Sequence, residues 1–110
     1  MTNMPNDQKL AFDTEMSVTG AFTGSAQLLG TLVNEPVILI FKNQSTVSVF
    51  VADNSGSTKG TTLAIGETMT LDCRANIGIA TNMGFPIGTS FFVTGTGGTG
   101  SVKVSVIYAY

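Results

Sequence analysis

The residues of this chain that could do chemistry are few, and their spacing argues against most of it. Cys73 is the only cysteine, and Arg74 beside it could draw the thiol toward its reactive thiolate. A lone cysteine is more often a small buried hydrophobe, and it excludes an internal disulfide and a thiolate zinc cluster. There is no histidine, so the chain lacks an imidazole to serve as general base, to partner Cys73 or to ligate a metal. Gly95, Gly97 and Gly100 match the G-x-G-x-x-G spacing of a dinucleotide-binding turn. That turn needs a helix after it to present N–H groups to pyrophosphate, and the residues after Gly100 alternate like a strand, so the glycines read as a hairpin tip. Asp53, Ser55 and Ser57 have the spacing of a partial calcium loop, but Lys59 stands at the next ligand position and no glutamate closes the ring. Asn43-Gln44-Ser45 is a glycosylation sequon by pattern and reads as a polar turn. Glu67 and Asp72 stand at an odd separation on an expected strand, which points them to opposite faces and leaves no carboxylate pair. No catalytic, cofactor-binding or metal-binding residue emerges, and the chain is expected not to be an enzyme.

The elements that must position these residues read as β throughout. Residues 101–110, SVKVSVIYAY, alternate strictly, so Val102, Val104, Val106, Tyr108 and Tyr110 share one strand face. With GTGGTG before them they read as half of an antiparallel hairpin. Pro36 opens a strand at residues 37–42 whose first five residues, 37–41, are an unbroken apolar run suited to a strand buried on both faces. The link KNQST then predicts a hairpin with residues 47–52. DNSGSTKG, residues 53–60, has the composition of a loop tip, and residues 63–72 read as one alternating strand ending at Asp72. Between Met16 and Val33, short apolar pieces are interrupted by Gly20, Gly24 and Gly30. Bulged strands fit this better than a helix carrying three interior glycines at about 1 kcal/mol each. The expectation is an all-β chain: one antiparallel β-sandwich, jelly-roll or Ig-like, of about seven to eight short strands.

Two segments fall outside this pattern. Residues 1–15 are polar, with Leu10 and Phe12 as their large apolar anchors, and read as an extended N-terminal arm leading into a sandwich domain at 16–110. Residues 73–89 have no clean period, yet carry Ile77, Ile79, Met83, Phe85 and Ile87 among glycines and Pro86. Long irregular segments in compact domains usually serve function. Phe85 either tucks beneath that loop or meets a partner. Phe41, Phe50, Phe91 and Phe92 read as core, and the lack of tryptophan weakens a sugar-stacking site. Leu10, Phe12, Ile77, Ile79, Met83, Phe85 and Ile87 are the candidate partner interface.

Composition narrows the function classes further. The chain of 110 residues is one domain, 43% apolar, with no apolar run long enough to cross a bilayer as a helix. The start MTNMPNDQKL shows no secretory pattern, which predicts synthesis in the cytoplasm. Only 11% of residues are charged, against about 25% in a typical domain, so the polar surface must be Thr, Ser, Asn and Gly. Such a surface is hydrated but weakly repulsive and suits packing beside other subunits. Lys9, Lys42, Lys59, Arg74 and Lys103 are scattered singly and form no phosphate-tracking stripe for nucleic acid.

In order, the segments VILIFKNQSTVSVFVADNSGSTKGTTLAIGETMTLD and GTSFFVTGTGGTGSVKVSVIYA resemble small virion structural proteins of tailed bacteriophages. The likeness is carried by Lys42, Asn43 and Ser45 at a strand end, by Leu63, Ala64, Gly66, Glu67, Leu71 and Asp72, and by Thr94, Gly95, Val102 and Val104. It covers residues 35–110. The resemblance implies an auxiliary capsid protein that decorates or cements the shell, made in the host cytoplasm and residing in the virion. Its partners would be the major capsid protein or other virion proteins, with a homo-oligomer in the particle and no cofactor, nucleic acid, membrane or small-molecule substrate. Members of that group also occur at the head-tail junction and on tails. The alternatives are thus a connector or fibre-attachment ring component, or a receptor- or carbohydrate-binding module whose loops DNSGSTKG and GTGGTG line a polar groove.

Overall fold

The structure, a computed structural model, describes residues 9–73 and 84–110. Among them are nine strands and no helix: β1 (Leu10–Phe12), β2 (Met16–Thr23), β3 (Gln27–Thr31), β4 (Pro36–Ser45), β5 (Val49–Ala52), β6 (Thr61–Leu63), β7 (Thr68–Asp72), β8 (Ser90–Thr94) and β9 (Thr96–Ala109). They form two antiparallel sheets. The five-stranded sheet runs β1-β9-β4-β7, with β2 also on β9, and the four-stranded sheet runs β3-β8-β5-β6. Strands β1 and β2 lie end to end along one edge of β9, and β4 covers its other edge from Tyr108 to Gly100.

The core lies between the sheets. Leu39 and Phe41 of β4 and Val102, Val104 and Val106 of β9 face Val49, Val51, Leu63, Phe91 and Val93 of the other sheet. The Phe41 and Phe91 rings meet edge to face across the gap, 5.3 Å between centroids, and each such buried ring adds about 1.5–3 kcal/mol. The alternation read at residues 102–106 is therefore the buried face of the longest strand.

Several connections differ from the sequence reading, for one physical reason: alternation specifies which face of a strand is buried but not which sheet the strand joins. GTGGTG is not a hairpin tip, because β8 and β9 belong to different sheets and Gly95 stands between them. Most of the run is strand, where glycine permits close approach. A Cβ at Gly98 would sit 2.5 Å from Val47 Cγ2, and one at Gly100, where φ is +125°, would sit 2.7 Å from Ser45 Cα. KNQST likewise makes no hairpin: β4 continues through it to Ser45, and the chain crosses to the other sheet before β5. Residues 63–72 are two strands, β6 and β7, in opposite sheets and joined by a turn. β4 is buried on one face only, Leu39 and Phe41 inward with Ile38 and Ile40 half-exposed, because among the described residues no further layer covers this sheet.

The bulges are present: the ladder slips at Phe22 in β2 and at Leu29 in β3, turning each of these side chains into the core. Within the expected arm, Leu10–Phe12 adds a strand to β9.

Candidate functional site

β9 holds 14 residues and at about 3.3 Å each runs about 46 Å, most of the molecule's 55 Å length, so it defines two ends. Its C-terminal end is apolar. Ala11 pairs with Tyr108, which shares the inward face of Val102, Val104 and Val106, so Leu10 and Phe12 lie on the outward face with Ile107. Ile38 pairs with Ile107 on that same face, and Ile40 stands two residues further along β4. Leu10 is 62% exposed and Phe12 75%. On the other face the Tyr108 and Tyr110 rings lie 6.1 Å apart, and Tyr110 is exposed.

Two connections from the second sheet reach this end. Leu32 N–H donates to the Thr89 carbonyl, Gly88 N–H donates to the Leu32 carbonyl, and Asn34 Nδ2 donates to Asp13 Oδ2 at 2.9 Å. These bonds set exposed Val33 and Ile87 beside the end of β9. Among the described residues, seven large apolar side chains are exposed; toward this end Leu10 and Phe12 stand on the outward face, Tyr110 on the opposite face, and Val33 and Ile87 on the two bonded connections. A gathered patch marks an interaction surface more than scattered exposure does.

Of the candidate interface residues, Leu10 and Phe12 share one face of β1, and Ile87 lies on the connection bonded to Leu32. Phe85 is half-buried with its ring edge to face on Phe91, 5.0 Å between centroids, and packs against the core. Ile77, Ile79 and Met83 lie outside the described residues. Val33, Ile38, Ile107 and Tyr110 do not stand out in the sequence as interface residues. For Ile38 a signal is present, since in VILIF it alternates with Leu39 and Phe41 and must face away from them once one face is core.

Several of the residues considered for chemistry are engaged in the fold. Asn43 is 1% exposed; its Nδ2 donates to the carbonyls of Val47, Leu63 and Ala64, and its Oδ1 accepts from the N–H and hydroxyl of Ser45. It pins the crossing after β4 to the crossing after β6, which is why a polar pair stands at a buried strand end. Ser57 Oγ accepts from Lys59 N–H within the 53–60 loop, and Glu67 Oε1 accepts from Ala64 N–H across the β6–β7 turn. Burial first, and then the Asp72 carboxylate, push the Cys73 thiol above its ordinary pKa, away from the thiolate. Among the described residues no group of three or more His, Cys, Asp or Glu is placed to hold a metal, and no helix could cross a membrane.

Two clefts of about 230 Å³ each open elsewhere. One lies beside the core rings Phe41, Phe85 and Phe91 with Asp53 and Lys59 at its polar side. The other lies on the outward face of the four-stranded sheet, lined by Phe50 and Phe92 and walled by Gly24, Ala26, Asn54 and Ser57. The loop DNSGSTKG thus does border a groove, with Thr94 rather than the glycine run opposite.

Comparison with protein-family models, with curated proteins and with solved structures finds no match to this chain.

Proposed function

We propose that this protein is a non-catalytic structural subunit of a virion, an auxiliary capsid protein that docks through the apolar end of β9 and stabilises the assembled shell. The observation that carries the reading is the collection of Leu10, Phe12, Val33, Ile87 and Tyr110 at one end of an otherwise sparsely charged molecule. The strand order supports it. β2-β9-β4-β7 facing β3-β8-β5-β6 is the order of a jelly roll, an architecture used for capsid and lectin domains, and it favours that reading over an Ig-like one. The resemblance of residues 35–110 to small phage virion proteins points the same way. The mechanism is mass action: a subunit that binds only the assembled shell stabilises that state by its binding free energy, multiplied over its copies.

The test is addition of the purified chain to capsids stripped of accessory proteins, with bound copies measured by gel densitometry and shell stability by thermal release of the genome. The expected result is saturable binding and a raised release temperature, both lost in a Leu10→Ser, Phe12→Ser variant. Particles that never carry or bind the chain would overturn the reading.

One observation favours a second reading, a receptor- or carbohydrate-binding module of a tail or head fibre. The groove floored by Phe50 and Phe92 offers ring faces with amide and hydroxyl groups of Asn54 and Ser57 at its wall. Glycan-array binding that vanishes on Phe92→Ala would select it over the first.

A further inference from the structure

The segment Lys9-Leu10-Ala11-Phe12-Asp13 is complementary to itself when run antiparallel. Lys9 and Tyr110 exchange both backbone hydrogen bonds, 3.0 and 2.9 Å, and Asp13 N–H donates to the Val106 carbonyl at 2.8 Å. Antiparallel ladders alternate, so Lys9, Ala11 and Asp13 turn their backbone groups toward β9, while Leu10 and Phe12 turn theirs outward to the open edge of the sheet. The edge β1 presents is therefore a row of outward backbone donors and acceptors at Leu10 and Phe12 beside two exposed apolar side chains, a template on which another strand can pair. The edge strand of the other sheet on this side, β3, is blunted by its bulge at Leu29.

We propose that β1 pairs antiparallel with β1 of a second copy, about a two-fold axis through Ala11. In that register Leu10 and Phe12 of one copy exchange backbone hydrogen bonds with Phe12 and Leu10 of the other. Ala11 faces Ala11, and Lys9 of each copy stands opposite Asp13 of its mate. Apolar meets apolar and cation meets anion at every position, which makes the contact isologous and closed at two copies. Of the registers offset by two residues, one sets Lys9 against Ala11, and the other sets Lys9 against Glu15 but opposes Leu10 to Thr14 and Ala11 to Asp13, so neither matches every position. The five-stranded sheets of both copies become continuous, and since directly paired residues share a face, two Leu10 and two Phe12 side chains form one apolar surface. The pairing uses the strand's edge and leaves that surface free for docking, so it stands whether or not the shell reading holds.

The experiment uses the full chain in solution, without particles, by sedimentation velocity and light scattering. The wild type is expected to be a dimer, and a monomer across the micromolar range would overturn the proposal. Lys9→Glu and Asp13→Lys each make two cross-copy pairs repulsive and are expected to weaken self-association by about tenfold or more. An equimolar mixture of the two variants restores both pairs and is expected to form a heterodimer as tight as wild type; no recovery in the mixture overturns the register. Asp13 also accepts from Asn34 and from its own neighbour Thr14, so a second readout guards against misfolding of that variant. Ala11→Cys in a Cys73→Ala background places two thiols in a directly opposed pair, Cβ atoms about 4.5–5.5 Å apart, and is expected to oxidise to an interchain disulfide. Dimers in which that disulfide does not form would place the axis elsewhere and overturn the proposal. Capsid binding, measured separately, decides the shell reading: dimers that ignore capsids sink that reading and leave the pairing intact.

Discussion

The two ends of β9 carry opposite solutions to the same problem. At the glycine end, Gly98 and Gly100 let Val47 and the β4 backbone close down on the strand, and Asn43 with Ser45 satisfies the carbonyls of two crossings from inside the chain. At the tyrosine end, large apolar side chains remain in water and an edge strand keeps outward backbone groups unpaired within the described chain. One end is completed by the polypeptide itself. The other leaves large apolar side chains in water, which is why the proposed contacts are placed there.

Breaking the glycine end should destroy the fold without reference to any partner. Gly100→Val sets a branched side chain at a φ of +125° with backbone atoms of Ser45 and Gln44 under 3 Å from its Cβ, and neither can move without opening the ladder. A loss of about 4 kcal/mol or more, or no soluble folded protein, is expected from urea titration followed by circular dichroism. Asn43→Ala comes next. It strips three carbonyl acceptors of a buried donor, and a loss of about 3 kcal/mol is expected in the same assay.

The tyrosine end should behave in reverse. Leu10→Ser with Phe12→Ser is expected to change unfolding free energy by no more than about 0.5 kcal/mol, since both side chains are already in water. Capsid binding, read by co-sedimentation, should nevertheless be lost. A large fall in intrinsic stability here would erase the contrast between the ends.

The smallest effect concerns Cys73. Its folded-state pKa is raised, so its contribution to stability is fully present below the pKa of the unfolded thiol and is lost as pH rises through the folded value. A mild alkaline loss of stability is expected in the wild type and not in Cys73→Ala, together with slow alkylation of the native thiol at neutral pH. Fast alkylation would return Cys73 to consideration as a reactive group.

Much of this is legible in the residues alone, unevenly. The β class, the buried face of residues 102–106, the bulged strands between Met16 and Val33 and the apolar anchors Leu10 and Phe12 all come from side-chain period and glycine placement, which act over a few residues. The glycine run misleads because the property that suits glycine to a turn, its missing Cβ, suits it equally to a crowded strand, and only the presence of Val47 and Ser45 distinguishes the two. Asn43 reads as a turn residue because its polarity is visible in the sequence and its three distant acceptors are not.

By itself the sequence determined the β class, which side of the strand at 102–106 is apolar, and that thiol, imidazole and paired-carboxylate chemistry is scarce. Only the tertiary structure decided that β8 and β9 part company, that β4 and β5 lie in different sheets, and that Val33, Ile87 and Tyr110 join Leu10 and Phe12 at one end. The reason is range: a two-residue period is a local steric fact, whereas sheet membership is a choice among competing long-range pairings that no local pattern encodes.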